Sequence, residues 1–513
     1  MTADAAVALV GDGDSVALVG GGGGLIEAAD LLEAIERRFL STGHPRDLTL
    51  VHSLGIGDRK QRGTNRFAHE GMVRRAIGGH WSWSPRMQAL ARDDRIEAYV
   101  LPGGVMMQQM REIAAKRPGL ITHVGLGTFV DPRQTGGRAN TRAKDSLVEL
   151  IEIDGREYLR YRPFPVTVAL LRGSAADPAG NISLDEEPAN CDLYAVALAA
   201  HNSGGKVIFQ VRHIVPSGSL PARSVRIPSA IVDAVVHCPD QMQSHAIHYD
   251  PSISGEKVVP QPRRPLEIAP IRLAIARRAK LELRDGAVVN YGFGVPDGIA
   301  KLVAESGEIE RVYQTIEHGT YGGELMDGAH FGFAHNPTCM IDGPSQFDFY
   351  AGGGLDIAFL GFGEADAAGN VNVSKLGGLI VGPGGFIDIA QNARKVVFCG
   401  SFDAKGTEVE IGGGRLTVRR QGEVRKFVRA VDQITFAGAV AVARGQEALY
   451  VTERAVFRLT PDGPELIELA PGCDLRRDVL DRMDFAPRVA PDLRPMPAQC
   501  FQRPSPHPEP DKG

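Results

Sequence analysis

The sequence has no unbroken apolar run of about 18 residues, the minimum for a membrane-spanning helix. It has no C-x-x-C pair either, and its six cysteines, Cys191, Cys238, Cys339, Cys399, Cys473 and Cys500, are scattered along the chain. That spacing argues against a structural zinc site or a disulfide framework and leaves reduced, mostly buried thiols as the expectation. No basic block longer than a few residues occurs, and the net charge of −5 is small for 513 residues, so nucleic acid is not an expected partner. The start, Met1-Thr2-Ala3-Asp4, lacks a charged leader region and a cleavage site. A cytoplasmic protein with no membrane partner is expected. Tryptophan is rare, and both copies fall in one stretch, Trp81 and Trp83, with core packing or a pocket wall as the two readings.

What is present is length and glycine. With 43% hydrophobic and 23% charged residues, the chain has the balance of a soluble globular protein of two or three domains. Residues 15–19 read as a buried strand that runs into glycines 20–24, after which Leu25, Ile26, Ala29, Leu32, Ile35 and Phe39 recur at helical spacing. A dinucleotide fingerprint is the rival reading of this strand–loop–helix unit. The third glycine of G-x-G-x-x-G is missing, however, its place being taken by Leu25 or Glu27. Further strands are expected at 48–54, 98–101 and 166–171, with a glycine turn, Pro102-Gly103-Gly104, opening a helix after the second of these. Arg133 and Arg138 have two readings, local salt bridges or contact with a substrate carboxylate.

The chain repeats itself. Ala176-Asp177-Pro178-Ala179-Gly180-Asn181 matches Ala365-Asp366-Ala367-Ala368-Gly369-Asn370, and Lys206-Val207-Ile208-Phe209 matches Lys395-Val396-Val397-Phe398 in the same register, an offset of 189 residues. Duplicated alternation of strand and helix implies an α/β fold of two similar, open, largely parallel domains, with ligand at the strand ends where they face each other. The expected division is a first domain over 1–250, a proline-rich linker over 251–265, a second domain over 266–491, and a disordered tail over 492–513.

The second domain carries the most suggestive stretch. Residues 312–316 read as a short buried strand ending at Glu317, followed by His318, Gly319, Thr320, Tyr321, Gly322 and Gly323. The glycines imply a tight turn with backbone N–H groups beside the carboxylate. That suits a nucleophile, while the bland alternative is a solvated glutamate that bonds its own turn. Downstream, glycine turns at 352–354, 369 and 382–385 suggest a closely approached ligand. His330, His335 and Cys339 are the only tempting metal cluster, but their spacing fits no standard site, and no metal is expected.

Thr315-Ile316-Glu317-His318-Gly319, Gln346-Phe347-Asp348-Phe349-Tyr350, Gly369-Asn370-Val371-Asn372, Gly382-Pro383-Gly384-Gly385-Phe386 and, in the first half, residues 124–133 together resemble the family I CoA-transferases. The likeness is to the single-chain acetate/3-ketoacid and propionate type, whose first half is like a separate alpha subunit, and it covers roughly residues 10–490. It implies transfer of CoA between an acyl-CoA and a short-chain carboxylate, with Glu317 attacking the thioester and then holding CoA as its own thioester. CoA is thereby substrate and covalent intermediate, with no tightly bound cofactor. The resemblance also implies oxyanion donors at Gly384 and Gly385, a CoA-binding turn at Gly292, Gly294 and Val295, further CoA contacts at Asn372 and Lys405, and a homo-oligomer, dimer or tetramer. One departure stands out: the family's Pro-Gln-Gly turn reads Pro102-Gly103-Gly104 here, so only the Gly103 backbone N–H remains of that oxyanion donor. An acyl-CoA thioesterase and a non-catalytic acyl-CoA-binding protein are the alternatives on the same fold.

Overall fold

The computed structural model describes residues 1–261 and 266–502. The first half is built on seven parallel strands: β1 (Ser15–Leu18), β2 (Leu48–His52), β3 (Val73–Gly78), β4 (Glu97–Val100), β5 (Val168–Ala176), β6 (Lys206–Ile214) and β7 (Ala234–His237). They lie in the order β7-β6-β5-β1-β2-β3-β4, and two short antiparallel strands extend the end of β5. All nine residues of β5, Val-Ala-Leu-Leu-Arg-Gly-Ser-Ala-Ala, are buried. A strand covered on both faces needs no polar alternation, which is why residues 168–171 read as a continuous apolar run, and buried Arg172 beyond them is paired with Glu187 at 2.8 Å. Three helices of this half are α1 (Ala29–Thr42), α2 (Gly103–Ala114) and α3 (Leu193–Asn202). Leu31, Leu32, Ala34 and Ile35 form the buried stripe of α1, as their spacing predicts.

The second half repeats the plan with β8 (Val288–Tyr291), β9 (Tyr313–Ile316), β10 (Thr320–Tyr321), β11 (Cys339–Met340), β12 (Ile357–Gly361), β13 (Lys395–Cys399) and β14 (Glu447–Val451). Strands β9-β8-β12-β13-β14 are parallel neighbours, in the same relative order as β2-β1-β5-β6-β7. The repeat seen in sequence is therefore structural: β5 and β12, like β6 and β13, begin 189 residues apart. The halves diverge at the edge beyond Glu317. Parallel β3 and β4 in the first half are replaced by the short antiparallel β10 and β11. Helices α4 (Asp297–Glu305), α5 (Gly343–Ala351) and α6 (Phe386–Ala390) flank the second sheet.

On its other edge that sheet continues through β15 (Ala455–Thr460), β16 (Gly463–Leu469) and β17 (Arg488–Pro495). This corrects the expected tail. Residues 492–495 belong to β17, which pairs with β16, and the following turn of 3-10 helix, Ala498–Phe501, buries Cys500 and Phe501 in the cluster formed by Leu273, Val289 and Val397. Proline and polar content at the end of the chain read as unstructured because the strand is an edge, where proline is tolerated. Residues 503–513 of that expected tail, and 262–265 of the expected linker, lie outside the described residues. Since Phe501 is fully buried, Phe501→Ala is expected to cost about 3–5 kcal/mol, seen as a lowered midpoint in denaturant unfolding. Unchanged stability would return the segment to the tail.

Candidate active site

The site begins with how β9 ends. Gln314, Thr315 and Ile316 are buried, and Thr315 is pinned by two bonds: its hydroxyl donates to the Val289 carbonyl at 2.9 Å and accepts from the Tyr350 hydroxyl at 2.8 Å. Beyond Ile316 the chain reverses into β10, with the Gly319 N–H closing on the Ile316 carbonyl at 3.0 Å. Glu317 therefore stands at the carboxyl end of a parallel strand, the edge at which open α/β sheets place their ligands.

A second segment is pressed onto it. Residues 380–385 cross from the second half to the first and are held there by backbone. Trp81 N–H donates to the Val381 carbonyl (2.7 Å), Gly384 N–H to the Gly79 carbonyl (2.8 Å) and Gly103 N–H to the Gly384 carbonyl (2.7 Å). The Gln88 side-chain amide adds a bond to the Ile380 carbonyl. So fixed, Gly385 lies directly over Glu317: a methyl group on it would come within 2.0 Å of Glu317 Oε2 and 3.0 Å of the Phe347 ring. Only glycine fits.

Glu317 is half-buried as a residue. Loss of hydration pushes its carboxyl up to about 7, against a hydrogen bond from the Gly385 N–H that pulls it down. At neutral pH the group thus divides between acid and carboxylate, which suits a nucleophile that must also leave. Next to the clasp, His80 is driven down to about 4 by burial, with His52 and Arg59 adding to the effect, so it stays neutral.

The structure brings together only some of the residues expected at this site. Gly385 is at the carboxylate. Gly103 and Gly384 flank it, but each spends its N–H on the clasp, so the expected oxyanion donors at these two positions are already occupied. The Gly292–Val295 turn is also largely spoken for: Gly292 N–H bonds the Phe359 carbonyl, and Gly294 N–H bonds the Asp297 carboxylate at 3.2 Å. Asp297 sits in the first turn of α4, where an acid disfavours an anionic phosphate. Asn372 is fully buried, its amide donating to Glu364 and the Lys375 carbonyl and accepting from Ser374 and Lys375 N–H groups. It shapes a turn. Lys405 is exposed on a separate hairpin, its carbonyl accepting from Glu423 N–H, and no bond among the described residues joins it to Glu317.

Other open readings close as well. Arg133 forms ion pairs with Asp131 and Glu157. The Gly369 motif is an Asp-anchored turn: Asp366 accepts from Ala368 and Asn370 N–H groups, as Asp177 does from Ala179 and Asn181 in the first half. The glycine loop of the first half is packed against the second half, where a methyl group at Gly23 would meet the Ala329 carbonyl at 2.0 Å. His330 bonds Ser244 and His335 bonds Ser252, and among the described residues no three His, Cys, Asp or Glu side chains are grouped to hold a metal. A cavity of about 350 Å³ lies between α2, α3 and the start of α5. Arg111 and Ala114, at the far end of α2, line one side of it, and Cys191, whose thiol feels the charge of Glu317, lines another.

Sequence reasoning missed His80, Phe347 and Asp388. Phe347 lay in plain view within a quoted motif, one turn into α5. Asp388 offered a weaker signal, an acid early in a helix that begins after a glycine turn. Another omission, the Ser53 hydroxyl bonded to buried Asp192 at 2.7 Å, joins residues 139 apart and had no local signature.

Two duplicated parallel α/β halves, meeting across one carboxylate whose neighbour must be glycine, define a two-domain enzyme of acyl-group chemistry. A family model for coenzyme A transferases matches residues 1–238. The acetate CoA-transferase YdiF of Escherichia coli O157:H7 is 42% identical over 502 residues, covering 98% of this chain and 94% of that one. The caffeate CoA-transferase of Acetobacterium woodii is 44% identical over 515 residues, covering 98% and 97%. A crystal structure of the E. coli O157:H7 acyl-CoA transferase YdiF, a thioester complex with CoA, superposes with a TM-score of 0.93 at 41% identity, covering 98% of this chain and 95% of that one. The chain belongs to the coenzyme A transferase family, as its motifs led one to expect. It is a CoA-transferase, acting between an acyl-CoA and a carboxylate.

Because a side chain at 385 must displace Glu317, Gly385→Ala is expected to fold with near-wild-type circular dichroism yet lose about a hundredfold or more in kcat. A variant with wild-type turnover would show that Glu317 need not sit where it does.

Proposed function

We propose that Glu317 is the nucleophile of a ping-pong transfer of CoA from an acyl-CoA to a free short-chain acid of the acetate, propionate or 3-keto acid class. The supporting observation is a carboxyl at a strand end, closed over by Gly385 and raised by burial to about 7. Its relative's crystallisation as a thioester complex with CoA supports the same chemistry here.

In the first step a Glu317 oxygen attacks the thioester carbonyl, the C–S bond breaks, and CoA leaves as thiolate from a mixed anhydride. The thiolate then attacks Glu317 Cδ, the anhydride C–O bond breaks, and the donor acid departs as carboxylate. Glu317 is left as its CoA thioester. An incoming carboxylate reverses both steps. Each attack puts negative charge on a carbonyl oxygen. With the Gly103 and Gly384 N–H groups engaged, the Gly385 N–H is the backbone donor nearest that charge, and one well-placed donor contributes about 3–4 kcal/mol. Holding the thioester on the enzyme preserves its free energy between the half-reactions.

We further take the protein to be a cytoplasmic homo-oligomer, dimer or tetramer, that binds no nucleic acid or membrane and carries no tightly bound cofactor. A net charge of −5 is in keeping with this, and among the described residues no helix is long and apolar enough to cross a membrane.

Incubation with a panel of acyl-CoAs and no acceptor is expected to leave a protein heavier by CoA minus water. Peptide mapping is expected to place the gain on the segment holding Glu317, and borohydride to reduce that side chain to an alcohol. Continuous release of acid and CoA would indicate a thioesterase instead. A folded protein with no adduct across the panel would overturn the reading.

The raised carboxyl has a second consequence. Folding favours protonated Glu317, so this group's contribution to stability is present below its ordinary value of 4.5 and is lost as pH rises through about 7. Glu317→Gln mimics the protonated form. It is expected to be more stable than the wild type at pH 8 by roughly 1–3 kcal/mol, with the gap closing near pH 4, as measured by urea unfolding at both pH values.

A further inference from the structure

Asp388 lies on α6, three residues beyond Gly385, and is almost wholly buried. Its carboxylate reaches across to the first half and accepts the Gly104 N–H at 3.2 Å and the Val105 N–H at 3.0 Å. Those groups are the unpaired donors of the first turn of α2, the helix whose first residue, Gly103, bonds the Gly384 carbonyl. The contact is tight, for a methyl group at Gly104 would fall 2.6 Å from Asp388 Oδ1. One side chain thus joins the amino end of α2 to the helix that starts at the turn over Glu317, and no step of the transfer uses it.

We propose that Asp388 is a positioning residue of the transfer reaction: anchored on α2, its carboxyl holds α6 and the preceding Gly384–Gly385 turn in register over Glu317. The proposal rests on the reading of Glu317 as the nucleophile. Fixing a turn that aims a single N–H is the kind of contribution that acts on turnover more than on binding, because the donor is used when charge develops.

The position has an electrostatic signature. Burial pushes Asp388 up to about 8, with the charge of Glu317 acting in the same direction and the hydrogen bonds from Gly104 and Val105 opposing it. Two other titratable groups stand near. Tyr161 is raised well above its ordinary value by burial, with the Asp388 charge acting in the same direction, and His123, bonded to Asn392 one turn on, is lowered by burial. Ionisation of Asp388 therefore adds a negative charge beside a site through which a thiolate and an oxyanion must pass. Wild-type kcat is expected to rise through about pH 7 and to fall above about pH 8.

Two variants test the proposal on the full chain. Asp388→Ser withdraws the acceptor from both N–H groups; kcat is expected to fall at least about tenfold, with KM for acyl-CoA changing less than about threefold and adduct formation slowed by the same factor as kcat. Asp388→Asn keeps one of the two acceptor oxygens for α2, sets an amide nitrogen against the other backbone N–H, and cannot ionise; it is expected to recover part of the neutral-pH rate lost in the serine variant and to lack the alkaline fall. Wild-type kcat in the serine variant, or an alkaline fall at the wild-type midpoint in the asparagine variant, would overturn the proposal. If the serine variant fails to fold, the asparagine profile decides. Failure of the Glu317 reading looks different, since the wild-type protein itself would then form no adduct.

Discussion

The structure depends on one constraint: backbone must bond backbone between the two halves at residues 79–81 and 103 on one side and 381–384 on the other. Three N–H to carbonyl bonds of 2.7–2.8 Å carry it. Side chains can shift to accommodate a substitution, but a peptide group bonded at both N–H and carbonyl cannot move without breaking a buried bond, and an unmet buried donor costs about 1–3 kcal/mol. Gly384 is bonded in this double way, to Gly79 through its N–H and to Gly103 through its carbonyl. The precision of the carboxylate site is therefore set by main chain. The fit at 103 is close as well, since a methyl group there would lie 3.0 Å from the Gly384 carbonyl carbon and the Ser53 oxygen, so that a side chain fits only if these neighbours yield by a few tenths of an ångström.

Much of this was legible in the sequence, and the limits were physical. The repeat was readable because each half buries its central strand on both faces, so residues 168–171 and 357–360 had to be apolar in both copies. The family emerged from local motifs around Glu317 and Gly385. Roles that depend on where an N–H points were not readable. Gly103 and Gly384 looked like open donors because a sequence records that a glycine is present and says nothing of what its amide already holds. The Gly369 turn misled for the opposite reason: in both halves an aspartate closes it, and Asn372 beyond it is likewise taken up by Glu364, Ser374 and Lys375. The end of the chain was misjudged because composition reports what a segment contains, whereas β17 is ordered by what it lies beside.

The two halves have also parted in their use of the same plan. Where the first half continues its sheet through parallel β3 and β4, the second turns back on itself at Gly319, and that reversal exposes a carboxylate at the strand end. A duplicated fold has thus become one half that presents a reactive group and another that supplies the surface closing over it, joined through α2, the Gly384–Gly385 turn and Asp388.

The loop after β1 shows how far that specialisation goes. With Gly23 so close to the Ala329 carbonyl and Gly24 against His245, its bare backbone is a keyway cut to the outline of its neighbours. A keyway admits one part in one orientation. The second half is therefore indexed to the first at a second point besides the clasp, and two points of registration fix an angle where one fixes only a position. Wear at that joint, through any residue bulkier than glycine at 23, would tilt the halves about the clasp and show itself in turnover while every group at Glu317 remained chemically intact.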